Sequence, residues 1–275
     1  MCPDILRGSF RDLYAELGFI DGGENCLPLH SCCAHGKDCW SEPYESMDRK
    51  PAGKDAAISQ PWVGSQYPKL GLLVVGINQN ECGGYDSLNW LIGEARKELA
   101  HGAKRVTFQN PEYRGTLLWH RVGCYAAAFL EAKGIYDREI EVDGYPRNEK
   151  VESAYDYIAY TNHVKCSPTG DNSKPSSGMW EHCGHHVLRE EIGLLKPTDI
   201  LLLGNSDNLC SFQRASIVDN SPAFEGKSAN GLVQWDKSSI GGMPVRVFVV
   251  PHPAARGVGM KGKEVLSDLR ELLKL

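Results

Sequence analysis

The chain reads as an α/β protein: a single-domain three-layer α/β/α sandwich with a central, mostly parallel four-stranded sheet. Three observations predict it. Four short apolar runs rich in β-branched residues lie along the chain, helical patterns separate them, and Asn or His stands at the end of three of them. Runs of this kind are strands buried on both faces, and strands alternating with helices build a parallel sheet covered on both sides.

Taken in order, Ile5, Leu6, Phe10, Leu13, Tyr14 and Leu17 recur at helical spacing and predict a helix over residues 4–17. A Gly-, Cys- and His-rich loop follows over 21–40, then an irregular connection to residue 66. The first strand covers 70–75, ends at Gly76 and opens a polar loop over 76–86. Helices are predicted around 88–99 and over 116–132. A second strand at 157–161 runs into a polar loop at 162–177, and a helix at 179–195 is stopped by Lys196-Pro197. The third strand, 199–203, is closed by Gly204; the fourth, 245–250, is closed by Pro251-His252-Pro253; an amphipathic helix fills 263–275. Residues 1–66 thus form an N-terminal helix and Cys-rich segment, and 67–275 the α/β core.

With 275 residues, 41% of them hydrophobic, the chain can bury a sizeable core. It has no apolar run of membrane-spanning length, and its amphipathic, charged start differs from a secretion signal, so a cytoplasmic protein without membrane attachment is expected. Ten cysteines in a reducing compartment point to thiols or metal ligands rather than disulfides. The net charge of -5 disfavours a broad phosphate-binding surface and leaves room for a local basic rim. Arg246, Arg256, Lys261 and Lys263, with His163 and Lys165, are its candidates.

Ligands of open α/β sheets bind beyond the carboxyl ends of the strands. Asn78 with Asn80, Asn162 with His163, and His252 stand at such ends. In order along the chain come Gly76-Ile-Asn-Gln-Asn80, Tyr160-Thr-Asn-His-Val-Lys-Cys-Ser-Pro168, Lys196-Pro before Leu201-Leu-Leu-Gly204, and Val250-Pro-His-Pro-Ala-Ala255. This succession resembles the uracil-DNA glycosylase superfamily, over roughly residues 70–260. The block from Tyr160 to Gly204 is closest to the iron–sulfur family 4 type, whereas the Gly-Ile-Asn first motif resembles the mismatch-specific and single-strand-selective branches. Gln79 and Asn80 depart from the usual loop.

The resemblance implies a hydrolase that flips a base out of DNA and cuts its N-glycosidic bond. Gly76, Ile77 and Asn80 then shape the first loop, and Asn78 orients the attacking water. An amide cannot take a proton at neutral pH, so Asn78 acts by hydrogen bonding, with Glu81 the alternative for activating the water. Asn162 matches the residue that reads the pyrimidine edge. His252 matches the donor that stabilises negative charge on the departing base. Arg256 matches the residue that fills the vacated stack. Tyr113 is the candidate for stacking on the base, with Phe108 and Trp119 as alternatives.

The same resemblance implies a structural [4Fe-4S] cluster. Cys166 and Cys183 match one ligand pair; for the other, Cys33 and Cys39 are chosen over Cys26 and Cys32. Zinc held by cysteines with His30, His35, His182 or His185 is the rival. The expected protein is a monomer acting on DNA containing a damaged base. Two alternatives stay open: a damage-binding protein that has lost catalysis, and a zinc-dependent enzyme acting on free nucleotides.

Overall fold

The structure is a computed structural model and describes residues 3–17, 20, 59–78, 87–110, 112, 115–139, 143–165, 175, 177–204, 217–219, 224–254 and 261–274. The strands are β1 (Trp62–Val63), β2 (Leu72–Asn78), β3 (Ile158–Val164), β4 (Asp199–Leu203), β5 (Gly226–Lys227), β6 (Gln234–Ile240) and β7 (Met243–Val250). They form one sheet in the order β1-β3-β2-β4-β7-β6-β5. The helices are α1 (Pro3–Glu16), α2 (Tyr67–Leu70), α3 (Ser87–Ala100), α4 (Leu118–Ala132), α5 (Asn148–Ser153), α6 (Ser177–Cys183), α7 (Arg189–Leu195) and α8 (Gly262–Leu272). Gly184–Leu188 joins α6 to α7 as a π-helical turn.

The four expected strands are the parallel heart of the sheet, β3-β2-β4-β7. Their side chains alternate between two cores, as period-two geometry requires. Leu72, Val74, Leu201, Leu203, Phe248 and Val250 meet the helices α3, α4 and α8 on one face. Leu73, Val75, Ile200, Leu202, Val247 and Val249 meet Leu6 and Phe10 of α1 with Leu188, Ile192 and Leu195 on the other.

The sheet has seven strands rather than the four expected. The three extra strands are antiparallel additions without an apolar run. β6, reading Gln-Trp-Asp-Lys-Ser-Ser-Ile, has mixed burial, because a strand outside the parallel core keeps polar residues on its wetter face. A two-residue turn, Gly241-Gly242, joins it to β7; both glycines have positive φ (55° and 78°), which a tight hairpin needs.

β2 and β3 also run further than expected. Gly76 pairs with Asn162 and Asn78 with Val164, so Asn78 and Asn162 belong to strands and not to loops. Ladder bonding uses the backbone, so polar side chains do not end it. Among the described residues no helix is long and apolar enough to cross a membrane.

Candidate active site

Because β3, β2, β4 and β7 are parallel, their carboxyl ends share one edge of the sheet. β2 connects outward to β3 in one direction and to β4 in the other, so the chain reverses its sense between β2 and β4, where sheets of this class leave a crevice. Asn78 closes β2, Asn162 lies two residues before the end of β3, and His252 follows β7 by two residues.

Gly76 is the centre of the β2–β3 end. A Cβ there would fall 2.4 Å from Asn162 Oδ1 and 2.5 Å from the Tyr160 hydroxyl, so both side chains reach across its bare backbone. Tyr160 is buried and packs against Trp119 of α4, with ring centroids 5.6 Å apart. Asn162 is 8% exposed, and its amide makes no hydrogen bond among the described residues. A nearly buried amide with both donor and acceptor open is poised for a ligand that supplies the complementary pair. By strand alternation, Gly76 lies on the same face of β2 as Leu72 and Val74, and Ile77 on the opposite one.

Gly76→Ala is expected to lower kcat/KM by about 100-fold, because the new methyl group must push Asn162 aside and misplacement near 1 Å has that effect. Single-turnover kinetics with an unchanged circular-dichroism spectrum would check it. Wild-type rates would show that Asn162 does not need this space.

His252 is partly buried, and burial holds its pKa below the ordinary value. The Ala254 backbone N–H donates to Nδ1 at 3.3 Å. Nδ1 therefore carries the lone pair, and Nε2 of the neutral ring carries the hydrogen. The turn is clamped from behind: the buried Arg121 of α4 donates through Nη1 to the Pro253 carbonyl. Gly204, at φ 126°, donates its N–H to the Val250 carbonyl at 2.7 Å and fixes the end of β7. Arg121 and this clamp were not read from the sequence.

His120, beside Arg121, is buried. Burial first, then Lys104 and Arg121, hold its pKa down to about 4. The unfolded chain therefore takes up this proton first as pH falls. The stabilisation from a neutral His120 is complete above about pH 6.5, is lost as pH falls toward 4, and amounts to about 2 kcal/mol lost by pH 5. Urea midpoints at pH 7.5 and pH 5 should differ less in His120→Leu than in the wild type; equal differences would refute the assignment.

The basic rim is smaller than expected. Lys165 is buried and bonded to Glu191 Oε2 (2.6 Å) and Thr161 Oγ1 (2.5 Å), with Tyr14 also donating to Glu191. His163 is buried as well. Arg246 bonds to Asp199 Oδ1 at 2.6 Å, near the start of the strands and away from the carboxyl edge. Lys261 and Lys263 remain at the start of α8, where Lys263 Nζ lies 5.7 Å from the Tyr145 ring centroid, as does Lys104 Nζ.

Among the stacking candidates, Trp119 is buried behind Tyr160. Phe108 has a left-handed φ of 53° and stacks on the exposed Trp90 at 6.3 Å. Cys183 is a buried thiol at the end of α6, and the rings of His182 and His186 stack at 5.8 Å. Glu81, Asn80, Tyr113, Arg256, Cys33, Cys39, Cys166, His30 and His35, and the side chain of Asn78, lie outside the described residues.

A family model described as the uracil DNA glycosylase superfamily matches residues 85–274, more than half of the chain. The chain belongs to the uracil DNA glycosylase superfamily. Membership supports a DNA glycosylase-like function, with DNA as the substrate. The superfamily match takes in Asn162, Cys183 and His252 and starts beyond the Gly76–Asn78 strand end. No curated protein matches the chain.

Proposed function

We propose that this protein hydrolyses the N-glycosidic bond of uracil, or of a related deaminated base, flipped out of DNA, and so starts base excision repair. The observation that carries the reading is the Asn162 amide, nearly buried, without a hydrogen-bond partner among the described residues and held across Gly76 at the carboxyl edge. Such an amide accepts from N3–H and donates to O4 of uracil, and is left mispaired by a base with the opposite pattern.

The flipped base enters the crevice between the carboxyl ends of β2 and β4. Asn162 reads its edge, and Asn78, with Glu81 as the alternative, orients the water that attacks C1′. As the bond breaks, the base leaves as an anion, and the neutral His252 donates from Nε2 to its developing charge. Arg256 fills the gap in the stack, and Tyr113 stacks on the base. Net charge -5 fits a partner held by a few local cations, Lys261 and Lys263 among them.

We also propose a [4Fe-4S] cluster on Cys33, Cys39, Cys166 and Cys183, with zinc as the alternative. The buried Cys183 thiol, packed beside β3, is a soft donor that suits such a metal centre. Its role is structural: it would tie the Cys-rich segment to the core and take no part in bond cleavage.

The test is a single-turnover assay of an oligonucleotide carrying one deoxyuridine, with protein in excess. Alkali-sensitive cleavage at that position is expected, reduced in Asn162→Ala. Tight binding to the same oligonucleotide without alkali-sensitive sites would replace this reading with damage binding alone.

A further inference from the structure

His163 is fully buried on β3, and its ring is held at two places. One ring nitrogen, Nε2, lies 2.9 Å from the Trp180 carbonyl oxygen, and the Trp180 ring packs against the imidazole with centroids 4.6 Å apart at 65°. A carbonyl can only accept, so the nitrogen facing it bears the hydrogen. A ring buried this completely stays neutral, because a buried cation without a counter-charge is costly. The other nitrogen, Nδ1, therefore carries a lone pair. It is buried and has no hydrogen-bond partner among the described residues.

A buried acceptor without a partner is rare and calls for an explanation such as an ion. The surroundings supply one. Cys183 follows Trp180 by three residues on α6, is buried, and sits on a helix that packs against β3. The helix widens into its π turn at Gly184, directly after Cys183; such turns concentrate at functional sites. An imidazole whose N–H is tied to a backbone carbonyl while its other nitrogen points into the interior has the support that metal-bound histidines receive.

We propose that His163 Nδ1 is a metal ligand beside Cys183, giving the centre a mixed nitrogen and sulfur shell. This deepens the metal-centre reading above by replacing an all-thiolate set. Thiolate with imidazole selects zinc or iron and disfavours calcium and magnesium, which take oxygen ligands. Binding is by donation of the Nδ1 lone pair, so no proton leaves His163.

The full chain, purified without oxygen, is analysed for metal content and by X-ray absorption at the edge of the metal found. Sulfur scatterers and a nitrogen at about 2.0 Å with the imidazole signature are expected. His163→Ala should lose that signature and release metal to a chelator at least tenfold faster. His163→Cys should retain metal with sulfur alone, which keeps the test decisive if the alanine variant is insoluble. An all-sulfur shell in the wild type, or a nitrogen signal unchanged by either substitution, overturns the assignment and leaves the cluster standing. Protein free of metal, as isolated and after reconstitution with iron or zinc, overturns both.

Discussion

Replacing His252 with alanine is expected to lower kcat for base release by about 100- to 1000-fold, with DNA binding changed far less. The magnitude is that of removing one preorganised donor from a developing anion. The geometry behind it is the turn after β7, in which the Ala254 N–H occupies Nδ1 and leaves Nε2–H as the only donor of a ring kept neutral by burial. His252→Gln, which retains an N–H donor on a longer arm, should recover part of the loss. Single-turnover rates with titrated DNA binding separate the outcomes: equal losses in binding and rate would make His252 a structural residue of the turn.

Lys165→Met should be the most destabilising substitution outside the apolar core, at about 3–5 kcal/mol, because it leaves the Glu191 carboxylate buried without its cation. Both side chains are inaccessible, at 2% and 0% exposure. Burial pulls the Lys165 ammonium below its ordinary pKa, and Glu191 opposes that pull. The pair also joins three elements: Lys165 just beyond β3, Glu191 on α7 and Tyr14 on α1. The expected fall in melting temperature is roughly 10 °C. Adding Glu191→Leu should restore much of it, since replacing both ions leaves no orphan charge. A double variant no more stable than Lys165→Met would show that the network matters for something other than charge pairing.

Lys165 also shows where reading the chain stops. A lysine shortly after a strand end, near His163 and a cysteine, looks like part of a phosphate-binding rim; its partner Glu191 lies 26 residues away, and only the fold brings them together. The Arg121 clamp on Pro253 spans 132 residues and carries no local signal. Arg246 was legible in principle, since it stands early in its strand and so at the edge opposite the site. The four parallel strands were legible because burial on both faces demands unbroken apolar runs. β1, β5 and β6 were not, being too short or too polar to show a period. Asn162 and His252 could be picked out as polar residues at strand ends, but the reason Asn162 is held as it is lies in the missing side chain of Gly76.

The most direct test of the central claim is to identify what leaves the DNA. A deoxyuridine oligonucleotide, single-stranded or paired, is incubated with excess protein in ¹⁸O-labelled water, and both products are weighed by mass spectrometry. The account predicts free uracil and an abasic strand carrying the solvent oxygen on its sugar, with both lost in His252→Ala over the same time. Intact uracil DNA recovered from a stable complex with the wild-type protein would contradict it.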